Sequence, residues 1–155
     1  MLDNAAVLST AFFRDPMSRY ASAFNYATHH SPHVSFDQHV HIRKWDNVAT
    51  KMMLGHSEDS EVTLNDALFR RAKQQVDKLN FIGIVEHIEA SFQRYCRHFL
   101  CPFPDYMPKH ERVSKKAHPA WSEATTAVFK TNNVWDLRLY DYVVGKINTP
   151  SDTRS

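Results

Sequence analysis

Glycine is scarce in this chain, 3 residues of 155, against an average near ~7% in folded proteins. Glycine-rich loops that cradle phosphates therefore cannot be present in number. Two cysteines are too few for a disulfide scaffold. No apolar run approaches the roughly 18 residues of a membrane-spanning helix. Met1 to Phe13 lacks a basic leading segment and carries Asp3 and Asn4, so it does not read as a signal peptide. A net charge of +2 excludes a strongly basic nucleic-acid tail and leaves anion contacts to individual residues. What is present is ordinary globular material, 43% apolar and 23% charged, in a length that suits one domain. The excess is in histidine, with 10 residues, which raises metal binding and pH sensing as questions.

Ala5 to Phe13, AAVLSTAFF, reads as a buried strand of a parallel sheet, with a short helix as the alternative for so short a run. Asp15-Pro16 ends it and opens a helix, since proline is tolerated in a first turn. Tyr20, Phe24 and Ala27 then recur at helical spacing to about Thr28. The polar, His-rich stretch from His29 to His41 reads as a loop. Short helical pieces are expected over Phe36–Trp45 and Asn47–Leu54, and a polar loop over Gly55–Glu61. Thr63 or Asn65 caps a helix to about Lys78, with Leu68, Ala72, Gln75, Val76 and Leu79 on or near its apolar face. Phe81 to Val85, FIGIV, is the second strand, where Gly83 marks close backbone approach or ordinary packing. Ile88 to Leu100 follows an amphipathic helical pattern. Pro102 to Pro119 is a proline-rich basic loop. Trp121–Lys130 and Val134–Ile147 close the chain as helices, the second with Leu137, Tyr140, Val144 and Ile147 on one face. The expected class is α/β, a domain over residues 1–147 with a frayed tail over 148–155.

The chemistry concentrates in Phe12-Phe13-Arg14-Asp15-Pro16-Met17-Ser18-Arg19-Tyr20-Ala21-Ser22. Open α/β sheets bind ligands beyond the carboxyl ends of their strands, and Arg14 follows a strand directly. Ser22 lies in the early turns of the next helix, where dipole and free N–H groups favour an anion. An arginine fork and a neutral hydroxyl can hold one phosphate between strand and helix. The alternative is a plain Arg14–Asp15 surface turn.

Arg-Asp-Pro, then Arg, then a serine eight residues after the first arginine, resembles the 3′-phosphate segment of sulfotransferases that use 3′-phosphoadenosine 5′-phosphosulfate. The nearer likeness is to the Golgi carbohydrate sulfotransferases, including the heparan sulfate and uronyl 2-O-sulfotransferases. SFDQHV at Ser35–Val40, NVATKMMLG at Asn47–Gly55, the helix and strand of Ala67–Glu86, and Trp121–Tyr142 with Asp136 and Leu139-Tyr140 are similar to later family pieces, in order. The likeness covers roughly residues 5 to 147. It implies a P-loop-type sulfotransferase fold, incomplete, since no Lys-Ser/Thr phosphosulfate loop occurs and the chain opens just before the matched strand. It further implies sulfuryl transfer to a carbohydrate hydroxyl, Golgi membrane or lumen placement, and cofactor contacts from Arg14, Ser22 and the basic loop residues Arg112, Ser114, Lys115 and Lys116. No catalytic base stands in the expected place. The isolated chain is thus expected to be inactive or nearly so, and prone to self-association through an exposed sheet edge. A non-catalytic nucleotide- or polyanion-binding protein is the alternative. No nucleic-acid or metal partner is expected.

Three further groups stay open. His29, His30, His33, His39 and His41 are surface residues, a substrate-facing loop that Arg43 and Lys44 would extend, or a metal site. Pro32 breaks the His29–His33 helical spacing that zinc would want. Cys96 and Cys101 are either a disulfide across a helix end or free buried thiols. Trp45, Trp121 and Trp135 are core anchors or sugar-stacking platforms.

Overall fold

The computed structural model describes residues 8–30, 34–104 and 119–148. Strand β1 (Thr10–Phe13) leads into helix α1 (Pro16–His30), then α2 (Phe36–His39), a 3-10 turn (Arg43–Trp45) and α3 (Val48–Met53). Helix α4 (Asp66–Asp77), strand β2 (Phe81–Ile84), α5 (Ile88–His98), α6 (Glu123–Asn132) and α7 (Val134–Asn148) complete the order. The class is α/β. The two strands pair in parallel, Thr10 opposite Phe81 through Phe13 opposite Ile84. A parallel pair needs a crossover connection, and α1 to α4 supply it.

Sheet register sorts the core. Phe13, Ile82 and Ile84 point to one face, where Phe69, Ala72 and Val76 of α4 and Leu139 and Val143 of α7 cover them. Phe81 points to the other face, against Tyr95 and Phe99 of α5. A second core joins α1, α2 and α6 through Tyr20, Phe36, Val40 and Phe129, with Trp121 and Trp45 packed against it. Trp135 packs against the first core, so all three tryptophans anchor cores.

Several details differ from the periodicity reading. Helix α1 runs on to His30, into the expected loop. In α4 the buried residue is Phe69 rather than Leu68, because Asn65 accepts from the Leu68 N–H (3.0 Å) and so sets the entry of the helix. In α7 the buried face is Asp136, Leu139 and Val143. It is rotated from the expected one because a buried carboxylate, invisible to a hydrophobic count, belongs to it. Leu100 is 92% exposed, since α5 has ended and the chain turns there with a φ of 51°. Residues 1–7 and 149–155 lie outside the described residues, so of the expected strand Thr10–Phe13 is seen and of the expected tail only Asn148, at the end of α7.

The two edges of the sheet differ. The edge of β2 away from β1 is closed by side chains of α5. Ser91 Oγ accepts from Ile84 N–H (2.9 Å) and donates to Ile84 C=O (3.0 Å), and Arg94 Nη2 donates to Ile82 C=O (3.3 Å). These bonds satisfy strand groups that would otherwise be buried and unpaired. Among the described residues nothing pairs with the outer edge of β1, and Phe12 there is 38% exposed.

Gly83 is required by close packing: an added Cβ would enter the ring of Phe12, its partner in register. Gly83→Ala must push that half-exposed ring outward. The expected loss is about 1–2 kcal/mol, read from the midpoint of urea unfolding, and a neutral result would show that the ring moves freely.

His39, one of the crowded histidines, is a core residue. Its ring lies 5.3 Å from that of Tyr20 and 5.1 Å from that of Phe24, and Tyr20 Oη donates to its carbonyl (2.9 Å). Burial, with Lys44 second, holds its pKa below the ordinary 6.5. The unfolded chain therefore takes up the proton first as pH falls. The contribution of His39 to stability is complete above about pH 6.5 and declines below it. Urea midpoints should drop between about pH 7.5 and about pH 5.5, and His39→Phe should show a smaller drop over that range. An equal drop in both proteins would place the pH dependence elsewhere.

Candidate functional site

The carboxyl ends of both strands lie together, because the pair is parallel, and there the chain turns into α1. Asp15 caps that helix: its carboxylate accepts from Ser18 N–H (2.7 Å) and its carbonyl from Arg19 N–H (2.8 Å). Pro16 fits the next position because it has no N–H to satisfy. The turn is tethered from two sides by Glu86, just past β2. One Glu86 oxygen accepts from Asp15 N–H (3.0 Å) and the other from Tyr140 Oη of α7 (3.0 Å). Burial, then the Glu86 bond, pushes the Tyr140 phenol up to about 12, so it remains a donor at neutral pH.

Arg14 leaves this tethered turn half-buried, and among the described residues its guanidinium has no hydrogen bond or ion pair. Ser22 is likewise half-buried, with a hydroxyl that makes no hydrogen bond to a described residue. The helix-terminus part of the expectation needs correction. Ser22 sits two turns into α1, beyond the free N–H groups, and the first of those is taken by Asp15. A helix terminus cannot serve an anion where a carboxylate of the chain already occupies it.

Two further donors on α1 flank Ser22: Arg19, the second arginine of the quoted motif, and Asn25, which the sequence reading did not single out. Arg19 Nε and Asn25 Nδ2 are buried and have no hydrogen-bond partner among the described residues. Arg19, Ser22 and Asn25 follow each other at spacing i, i+3, i+6, adjacent along one ridge of α1. Arg19 is also held by Asp136, Nη2 to Oδ2 at 3.4 Å. Orphaned donors are a packing property, and no sequence motif announces them.

Asp136 itself is structural. It is 1% exposed and accepts from Ala49 N–H (3.0 Å), Thr50 N–H (2.8 Å) and Thr50 Oγ1 (2.8 Å), which caps α3. In return Asn47 Oδ1 accepts from the Trp135 and Asp136 N–H groups (2.9 and 3.1 Å), which caps α7. Asn47 adopts a φ of 51° to do so, a left-handed conformation that asparagine tolerates better than most residues. The two helix starts thus cap each other.

Arg112, Ser114, Lys115 and Lys116 lie outside the described residues, as do His33 and the side chains of His29 and His30. Among the described residues no cluster of three or more histidine, cysteine or acidic side chains could hold a metal ion, and no helix is long and apolar enough to cross a membrane. Cys96 and Cys101 are free thiols, the first buried, and burial followed by the neighbouring Cys101 raises the Cys96 pKa. The chain matches no family model, no curated protein and no solved structure.

Proposed function

We propose that this chain binds 3′-phosphoadenosine 5′-phosphosulfate at the β1–α1 turn and serves sulfuryl transfer to a carbohydrate hydroxyl, as part of an incomplete P-loop-type sulfotransferase fold. The observation that supports it is that Arg14, at the end of β1, and Ser22, on the helix that follows, have no hydrogen-bond partner among the described residues. A phosphate dianion offers only acceptors, so it complements a free guanidinium and a free hydroxyl. Arg14 would grip the 3′-phosphate with its planar fork, and Ser22 would add a neutral hydrogen bond. Glu86 and Tyr140 would position Arg14 by holding the turn. The bound donor molecule supplies the activated sulfuryl group. The chain's contribution is to orient it and to offset negative charge on the leaving nucleotide.

One observation favours a second reading, nucleotide binding without catalysis. Both oxygens of Glu86, the carboxylate at this sheet edge, are already engaged, so it is not free to take a proton from an acceptor hydroxyl. Calorimetric titration with adenosine 3′,5′-bisphosphate and adenosine 5′-monophosphate tests the binding that both readings share. Equal affinities would remove the site. A sulfuryl-transfer assay with glycan acceptors then separates enzyme from binder.

A further inference from the structure

At the amino end of β2, far along the strand from Arg14, a groove of about 620 Å³ opens between the ends of α5 and α7. Leu79 and Ile147 contribute its apolar surface and Arg94, Arg97, His98 and Lys146 its polar side, with no acidic side chain among the lining residues.

The charges of that side are unbalanced. Arg94 and Arg97 stand at spacing i, i+3 on α5, a like-charge arrangement that costs helix stability unless it is compensated. Among the described residues no carboxylate pairs with either arginine. Lys146 is bonded to Asp77 (2.8 Å), and that carboxylate also accepts from Tyr142 (2.6 Å), so Asp77 is spent. Complementing the carbonyl end of α5 would explain Arg97 and His98, which occupy its last turn. It does not explain Arg94, a turn earlier. Arg94 is fixed by its bond to the Ile82 carbonyl (3.3 Å) and by lying 5.5 Å from the Phe81 ring centre. One N–H is used there, and the rest of a five-donor fork remains available beside the groove.

We infer that this groove is a binding site for an organic anion, one acid group on a flat apolar body, distinct from the Arg14 site. The acid group would sit between Arg94 and Arg97, and the apolar body would lie over Leu79 and Ile147. This inference does not depend on the nucleotide reading.

The test is an amide-resolved NMR titration of the whole chain with 2-naphthalenesulfonate, alongside inorganic sulfate and neutral 2-naphthol. Saturable shifts should centre on Phe81, Arg94, Arg97 and Ile147. Sulfate and naphthol should each bind on the order of tenfold more weakly than the combined probe. Arg97→Glu, a change at an exposed position that leaves the Ile82 bond intact, should weaken naphthalenesulfonate by about tenfold or more. Arg14→Ala should leave it unchanged. Absence of saturable binding, shifts centred elsewhere, or an undiminished affinity in Arg97→Glu would each overturn the site.

Discussion

Asp136→Ala should bring the fold close to its limit, with an expected loss of about 3–5 kcal/mol. The carboxylate accepts four hydrogen bonds from two elements, Ala49 and Thr50 on α3 and Arg19 on α1, while Asp136 itself lies in the first turn of α7. Removing it leaves two N–H groups and a hydroxyl at the start of α3 without an acceptor, at positions that water reaches poorly. It also leaves Arg19 without its counter-charge. Domains of this size are stable by about 5–15 kcal/mol, so the variant should be near the limit of folding. Asp136→Asn should fall close to the alanine variant, since its amide turns one donor against another. Arg19→Met should cost less, because three of the four bonds survive. Urea unfolding followed by circular dichroism gives the order. A loss under about 1 kcal/mol in Asp136→Ala would show that the α3–α7 junction holds without it.

Arg14→Ala should remove most of the preference for adenosine 3′,5′-bisphosphate over adenosine 5′-monophosphate. A charge-assisted hydrogen bond contributes roughly 1.5–3 kcal/mol, so the preference itself should be on the order of tenfold or more. Arg14→Lys should restore part of it, since a point charge reproduces the attraction but not the fork. Ser22→Ala should cost about 1 kcal/mol, one neutral hydrogen bond. Neither Arg14 nor Ser22 bonds to another described residue, so these substitutions should leave the unfolding midpoint nearly unchanged. That separates a binding role from a structural one. A large fall in stability with no change in preference would mean that Arg14 belongs to the fold.

Glu86 and Tyr140 lie fifty-four positions apart in the chain, and Asp15 is seventy-one from Glu86. Nothing local to any of them reveals that they meet. The short elements, by contrast, were legible. Asn65 carries its cap within a few residues, Pro16 opens a helix by its own geometry, and FIGI is apolar throughout and buried throughout. Where legibility failed, as in the rotation of α7 and the burial of His39, a polar group had been placed in the interior by partners from distant segments.

The sequence by itself determined the class, the order of strands and helices, the turn at Asp15-Pro16 and the candidacy of Arg14 and Ser22, because capping, periodicity and turn chemistry act over a few residues. Only the tertiary structure decided which donors lack acceptors, which edge of the sheet is closed, and that Asp136 and Asn47 cap each other's helices. Those are properties of residues brought together across dozens of positions, where desolvation makes each unpaired donor or charge costly and so decides which partners must meet.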